Sequence, residues 1–170
     1  VYVASPFALQ TDFLDLERIE VLRGPQGTLF GQNSTGGGIN VITKAPTFDD
    51  FYGTADLTVG EYSLVKARAA MNIPMSDTLA ARVSLMSHKH DGYTDNVGNG
   101  QDLDDADSIS ARAKLLFQPS DSFSATLTAQ VFDEDVNGQA QKGIYDPTPG
   151  ARRLAQDSLS SYELESQLYS

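Results

Sequence analysis

The sequence contains no cysteine among its 170 residues, so a disulfide framework, a zinc site built on thiolates and a thiol nucleophile are all excluded. Basic residues are also few. The chain has 12 Lys and Arg against 23 Asp and Glu, a formal net charge of −11. This balance argues against nucleic-acid binding, which needs a basic face. No run of 18 uncharged apolar residues is present, so no transmembrane helix is predicted. With 40% hydrophobic and 21% charged residues, the chain is too mixed for a disordered acidic tail.

The first 44 residues hold the densest local signals. They predict a strand at Val1–Ala4, a loop at Ser5–Thr11 and an apolar segment at Leu14–Leu22, whose Ile-Glu-Val-Leu pattern fits a strand as well as a short helix. Six glycines follow between residues 24 and 38, which indicates tight turns and positive φ angles. A β-rich run, Ile39–Lys44, closes this part of the sequence.

Strict alternation of apolar and polar residues begins after a short segment that contains Pro46. It predicts five strands, at about 51–59, 63–73, 78–88, 107–117 and 122–132. The 23 odd-numbered positions that form the expected outward face carry no polar residue: 53–59, 65–73, 79–85, 109–117 and 123–131. Every Lys and Arg in these strands lies at an even position. Each strand is therefore expected to present one apolar face and one polar face.

The connections between these strands differ at the two ends of the predicted sheet. Residues 74–77 and 118–121 predict tight turns at one end, whereas the opposite end has one short connection, 60–62, and two long ones, 89–106 and 133–161. Short turns on one side and long loops on the other are typical of outer-membrane barrels. About ten residues at roughly 3.3 Å each, tilted near 45°, also match an apolar band of about 25 Å. A soluble antiparallel sheet with one solvent-exposed face fits the strand pattern equally well.

A resemblance separates these two interpretations. Residues 15–44, Asp-Leu-Glu-Arg-Ile-Glu-Val-Leu-Arg-Gly-Pro-Gln-Gly-Thr-Leu-Phe-Gly-Gln-Asn-Ser-Thr-Gly-Gly-Gly-Ile-Asn-Val-Ile-Thr-Lys, closely resemble the C-terminal half of the plug domain of TonB-dependent outer-membrane receptors. The resemblance implies a mainly β fold: a partial plug domain followed by the first five or six antiparallel strands of a plugged 22-stranded transmembrane barrel. It assigns residues 1–45 to the plug, 46–50 to a linker and 51–170 to the barrel, with further sequence expected on both sides.

The same resemblance implies a function. It predicts a non-enzymatic active transporter in the outer membrane of a Gram-negative bacterium, without a cofactor, a metal site or catalytic residues. The expected ligand is a ferric siderophore or another scarce large nutrient, and TonB would supply energy through a TonB box upstream. Outer-membrane lipid and lipopolysaccharide are further expected partners. A TonB-linked signalling receptor and a transporter for cobalamin, carbohydrate or another organic ligand are the alternatives.

Three sets of residues follow as candidates for functional or structural roles. The loop that contains Phe7 resembles a ligand-facing apical loop of the plug, although Phe7 could equally pack beneath it. The predicted ligand-binding residues are Ser5, Phe7 and Gln10. The residues predicted to pair plug with barrel are Arg18, Glu20 and Arg23, with ordinary strand-surface charges as the alternative. The predicted turn glycines are Gly24, Gly27, Gly31, Gly36 and Gly37.

Two further signals favour simpler interpretations. His88 and His90 could share one face of a strand as a metal pair, but no third ligand is evident and a solvated strand end is favoured. Residues 91–107 carry six aspartates and no Lys or Arg. This acidic loop could hold calcium, but its spacing does not match an EF-hand, so a solvated extracellular loop is favoured.

Overall fold

The computed structural model describes residues 14–24, 37–138, 140, 153–154 and 162–169, with the last two segments described by their backbone alone. The chain divides into two compact units, residues 1–45 and residues 46–170. Every regular element among the described residues is a β-strand. Over the same residues, no helix has the length and hydropathy needed to cross a membrane.

The N-terminal unit contains one antiparallel pair, β1 (Leu16–Arg23) and β2 (Gly37–Thr43). Ile19 lies opposite Val41 and Val21 opposite Ile39, so the alternating residues of the two strands share faces. The segment that allowed a strand or a short helix is therefore a strand, and the predicted β-run after the glycines is confirmed.

The C-terminal unit is built on a six-stranded antiparallel sheet in the order β11-β9-β8-β5-β4-β3. Each long strand pairs with the next long strand along the chain, which is the meander that the sequence predicted. The strands of this sheet are β3 (Tyr52–Val59), β4 (Val65–Ser76), β5 (Leu79–His90), β8 (Ala106–Ser120), β9 (Phe123–Val136) and β11 (Tyr162–Tyr169).

The tight turns are shorter than predicted. β4 continues through Pro74 to Ser76, and β8 continues through Pro119 to Ser120, so that only two residues form each turn. The proline-based prediction of strand ends was wrong at both places. Both prolines coincide with a shift in register, between Pro74 and Ser76 and between Phe117 and Ser120. A bulge accommodates proline because the missing N–H is not needed by the ladder there.

The long connection after β5 is ordered, although it had been predicted only as a loop. It contains a hairpin of β6 (Thr94–Asn96) and β7 (Gln101–Leu103), and β10 (Arg153–Leu154) adds to it in parallel. Strands of two or three residues are too short to show a hydrophobic period, which explains why the sequence did not predict them.

Candidate functional site

The large sheet exposes apolar side chains at odd positions and buries several polar side chains at even positions of β4, β5 and β8. Leu57 is 67% exposed and Leu85 is 51% exposed, both at odd positions. The other exposed apolar side chains on this face are Val59, Val65, Met71, Val83, Ile109, Leu115, Phe117, Phe123, Leu127 and Val131. The buried polar side chains of β4, β5 and β8 all lie at even positions: Asn72, Arg82, Ser84, Ser108 and Ser110. A soluble sheet has the opposite arrangement, so this face requires an apolar surrounding.

An aromatic pair marks the turn end of the apolar face. Phe117 and Phe123 lie on either side of the two-residue turn between β8 and β9, with ring centroids 6.4 Å apart at 71°. Both side chains are exposed on the odd face, as the alternation predicted. Aromatic side chains at this level are typical of the membrane–water boundary of a β-barrel.

The buried polar face is organised around Asn72, which is 0% exposed. The Asn72 Oδ1 accepts a hydrogen bond from the Thr47 backbone N–H at 2.9 Å. Its Nδ2 donates to the carbonyl oxygens of Thr47 at 3.1 Å and Asp50 at 3.0 Å. Its neighbour across the sheet, Arg82, donates to the Tyr52 hydroxyl at 3.0 Å and lies 5.5 Å from that ring's centroid. These bonds fasten the residues before β3 to the inner face.

A cluster of four aromatic rings lies at the opposite end of the sheet from the tight turns. Tyr62 contacts Tyr93, Tyr93 stacks on His90, and His90 contacts His88, with centroids 6.0, 6.0 and 5.5 Å apart. The histidines therefore belong to a ring cluster and not to a bare strand end. Among the residues that the structure describes, no group of three His, Cys, Asp or Glu is arranged to hold a metal ion.

The turn that carries Tyr62 is strained. Tyr62 and Ser63 have φ angles of 55° and 56°, a region that bulky non-glycine residues rarely adopt. Two hydrogen bonds hold them there. The Asp91 N–H donates to the Tyr62 carbonyl at 2.7 Å, and the Ser63 hydroxyl donates to the Asp91 carboxylate at 2.5 Å. Strain of this kind persists only where surrounding contacts impose it, and it is frequent at ligand sites.

The acidic loop uses several of its carboxylates to build structure. Asp104 accepts hydrogen bonds from the Thr94 hydroxyl at 2.6 Å and the Ala140 N–H at 2.9 Å. Asp105 accepts one from the Asn137 N–H at 2.8 Å. Leu103, with 0% exposure, is buried beneath this arrangement. The interpretation of a merely solvated loop was therefore incomplete, since these two aspartates tie the hairpin β6–β7 to the chain after β9.

The hairpin of the N-terminal unit carries a small charged network on β1. Arg18 forms ion pairs with Glu17 and Glu20, the latter at 2.8 Å, and Asn40 of β2 donates to Glu20 at 3.1 Å. The hydrogen bond from Arg18, followed by that from Asn40, holds the pKa of Glu20 below its usual value. The bond to Glu20 likewise raises the pKa of Arg18. Because Arg18 and Glu17 are exposed and Glu20 is only half-buried, water and salt screen the attraction.

Comparison with known proteins decides what these two units are. The family model of the TonB-dependent receptor plug domain matches residues 2–38. The N-terminal part of the chain thus matches the plug domain of TonB-dependent receptors. The N-terminal unit is part of a receptor plug, and the large sheet contains the first strands of a receptor barrel. The family places the protein in the outer membrane of a Gram-negative bacterium.

The curated relatives and solved structures that the chain resembles are also receptors of this kind. The chain is 32% identical over 93 residues to the catecholate siderophore receptor Fiu of Escherichia coli K12, covering 54% of this chain and 12% of that receptor. It is 35% identical over 91 residues to the pesticin receptor of Yersinia pestis, covering 52% and 13%. The chain thus spans a small fraction of the receptors that it matches.

Two solved receptors have the same fold. The ferric yersiniabactin uptake receptor FyuA of Yersinia pestis superposes with a TM-score of 0.72 at 25% identity, over 92% of this chain and 25% of that one. The pyoverdine receptor FpvA of Pseudomonas aeruginosa gives a TM-score of 0.73 at 22% identity, over 94% and 23%.

The predicted site residues of the plug have different outcomes. Ser5, Phe7, Gln10, Gly27, Gly31 and Gly36 lie outside the described residues. Gly24 and Gly37 have φ angles of 85° and 127°, as turn glycines require. A Cβ at Gly37 would lie 2.2 Å from the Leu22 carbonyl oxygen, so this position also needs glycine for space. The pairing of Arg18, Glu20 and Arg23 with barrel residues stays a prediction.

The Asn72 bonds and the ring cluster were not predicted, because the sequence gives no periodic signal for either.

Proposed function

We propose that the chain is part of an active transporter that takes up a ferric siderophore or a related metal chelate and draws its energy from TonB. The observation that carries this proposal is the inverted sheet, apolar on its exposed face and polar on its buried face, in a chain that also holds a receptor plug segment. A barrel wall of this kind encloses a polar lumen that a plug can fill.

The ligand class is supported by the relatives. Their names specify a catecholate siderophore, metal–pseudopaline, ferric yersiniabactin and pyoverdine as ligands of those proteins. Each is a metal-binding small molecule or its metal complex. We propose a ligand of the same class for this receptor.

The polar inner face also suits a plug that moves. When a plug segment shifts along such a wall, the groups that it uncovers can be solvated by water, so the free-energy cost of displacement stays small.

The test uses the full-length receptor in a strain that lacks its own siderophore receptors. Uptake of radiolabelled iron is measured with a panel of catecholate, hydroxamate and mixed-ligand chelates, in cells with and without TonB. We expect saturable uptake of at least one chelate, and loss of that uptake when TonB is deleted or the proton-motive force is collapsed. TonB-independent uptake, or no uptake of any chelate by a receptor that is correctly inserted and surface-exposed, would contradict the proposal.

A paired set of variants tests where the ligand is captured. We propose that the ring cluster around Tyr62 contributes to capture, since its strained turn is held in place at the long-loop end. Tyr62→Ala should raise the half-saturating ligand concentration roughly 3- to 10-fold, which corresponds to about 1 kcal/mol of aromatic contact. Phe123→Ala, a matched exposed aromatic at the turn end, should leave that concentration unchanged. Equal effects of the two variants would argue against a ligand contact at Tyr62.

A further inference from the structure

Asn72 pairs with the segment before β3 as a neighbouring strand would. Its amide oxygen accepts from the Thr47 N–H and its amide nitrogen donates to the Thr47 carbonyl, so both backbone groups of Thr47 are satisfied by one side chain. The second amide hydrogen is used by the Asp50 carbonyl. The side chain is fully buried, and both of its N–H donors and its oxygen have partners. We name Thr47, Asp50 and Asn72 the Asn72 clamp.

The Asn72 clamp lies where β3 begins to pair. Asn72 is opposite Tyr52, and this is the first pair of the β3–β4 ladder. On its other side Asn72 is opposite Arg82 of β5, which donates to the Tyr52 hydroxyl. The clamp and the Arg82–Tyr52 bond therefore hold the chain on both sides of Phe51, immediately before the first barrel strand starts.

This position determines what happens to a force that arrives along the chain from the plug side. A pull on Tyr52 alone would load the β3–β4 ladder at its end, where its hydrogen bonds break one after another. A pull on Thr47 instead loads its two hydrogen bonds to Asn72 together, and then the Asp50 bond, before it reaches the ladder. We propose that TonB acts by pulling on the plug, and that the Asn72 clamp is a force stop that confines the resulting unfolding to the plug and protects β3 from being stripped off the barrel wall. The force-bearing part of this inference rests on the proposed transport function.

Asparagine is the side chain that this arrangement requires. Asn72→Ala removes all three hydrogen bonds, and Asn72→Asp removes both donors and places a carboxylate beside the carbonyl oxygens of Thr47 and Asp50. Asn96→Ala is the matched control. Asn96 is also a buried asparagine, with 1% exposure. Its Oδ1 accepts a hydrogen bond from the Gly98 N–H within the connection between β5 and β8, which we call the outer loop. The control therefore reports general destabilisation of the unit without touching the clamp.

The first measurement is hydrogen exchange of the full-length receptor at rest in lipid. In Asn72→Ala, the Thr47 amide, which donates to Asn72, should exchange at least tenfold faster than in the wild type, whereas Asn96→Ala should leave it unchanged. Unaltered exchange of the Thr47 amide in Asn72→Ala would overturn the clamp itself, whatever the receptor transports.

The second measurement applies the load in cells. Thr54 is opposite Ala70 in the β3–β4 ladder, and Val21 is opposite Ile39 in the β1–β2 ladder. The double variants Thr54→Cys/Ala70→Cys and Val21→Cys/Ile39→Cys, in a receptor without other cysteines, therefore report strand pairing through disulfide formation when oxidant is added during uptake. The yield of the Val21–Ile39 crosslink should fall in a TonB-dependent manner in every background. The yield of the Thr54–Ala70 crosslink should fall at least threefold when combined with Asn72→Ala, and not with Asn96→Ala.

The outcomes separate the two proposals. If the Val21–Ile39 crosslink responds to TonB while the Thr54–Ala70 crosslink is unchanged in the Asn72→Ala background, the force stop is refuted and the transport proposal is unaffected. If the Val21–Ile39 crosslink never responds to TonB, the pulling mechanism fails together with the load-bearing role, and the exchange of the Thr47 amide then decides whether the clamp exists.

Discussion

Leu85→Arg offers the sharpest test of which face of the sheet contacts lipid. Leu85 lies at the middle of the twelve-residue strand β5, at an odd position, and 51% of its side chain is exposed. Its neighbours across the sheet are Ala69 of β4 and Ala111 of β8, so the surrounding surface offers no polar partner for a guanidinium. In a membrane barrel this residue sits near the bilayer midplane.

The expected loss of folding free energy depends on how deep the arginine lies in the bilayer. Arg on the lipid face costs about 2–4 kcal/mol at the midplane and about 0–1 kcal/mol near the interface. Val59 provides the matched control, since it is an exposed apolar residue at the outer end of β3, level with Val65 and Lys89. Four residues along a strand tilted near 45° place Lys89 roughly 9 Å beyond Leu85 along the membrane normal. Val59→Arg should therefore cost much less than Leu85→Arg.

The assay is urea-dependent folding of the full-length receptor into lipid vesicles, with Leu85→Ala as a control for lost side-chain contacts. A free-energy loss of about 2–4 kcal/mol for Leu85→Arg, against at most about 1 kcal/mol for Val59→Arg, is expected. If both arginine variants fall within about 0.5 kcal/mol of the wild type, as exposed substitutions on a soluble protein do, the assignment of the odd face to lipid is refuted.

Three further predictions concern the plug hairpin and the outer loop. Gly37→Ala should destabilise the hairpin by about 1–3 kcal/mol, because φ is positive at Gly37 and the added Cβ meets the Leu22 carbonyl oxygen. Gly38→Ala is the control, since a Cβ at Gly38 has open space and should be nearly neutral. Hydrogen exchange of the β1 amides measures both effects. The folded-state pKa of Glu20 lies below its unfolded value, so its contribution to hairpin stability is complete above the unfolded pKa and is lost as pH falls through the folded pKa. Glu20→Gln should remove this acid sensitivity from the exchange of β1, and an unchanged pH profile would contradict the assignment. Asp104→Ala loses two hydrogen-bond acceptors and should open the β6–β7 hairpin by about 1–3 kcal/mol, seen as faster exchange at residues 94–103 and unchanged exchange in β5.

The strands of the sheet were predictable because their physics is local. A side chain at every second position shares a face, so the odd and even sets could be assigned from the sequence before any pairing was known. The five long strands and their meander order are confirmed. The prediction that strands end at Pro74 and Pro119 was wrong, because both prolines lie at bulges within their strands. Only the pairing register shows these bulges.

The candidate site was less predictable, because its contacts join residues far apart in the chain. Asn72 contacts Thr47 and Asp50 across more than twenty positions, and no sequence pattern distinguishes it from any other polar residue on the even face. The ring cluster likewise needs the turn at Tyr62 to approach Tyr93. Separations of this size carry no periodic signal.

The sequence by itself indicated the resemblance to TonB-dependent receptors, through the plug motif, and the two-faced character of the long strands, through alternation. Alternation alone left open which face would be covered, because it is identical in a soluble sheet and in a membrane barrel, and the plug motif then favoured the barrel. Only the tertiary structure showed which even-position polar side chains are buried, and that Asn72 and Arg82 among them bind the residues at the start of β3. Burial and hydrogen bonding are properties of the assembled sheet, because each depends on which other segment of the chain lies over a residue. The period of two is a property of a single strand, and it can therefore be read from the sequence.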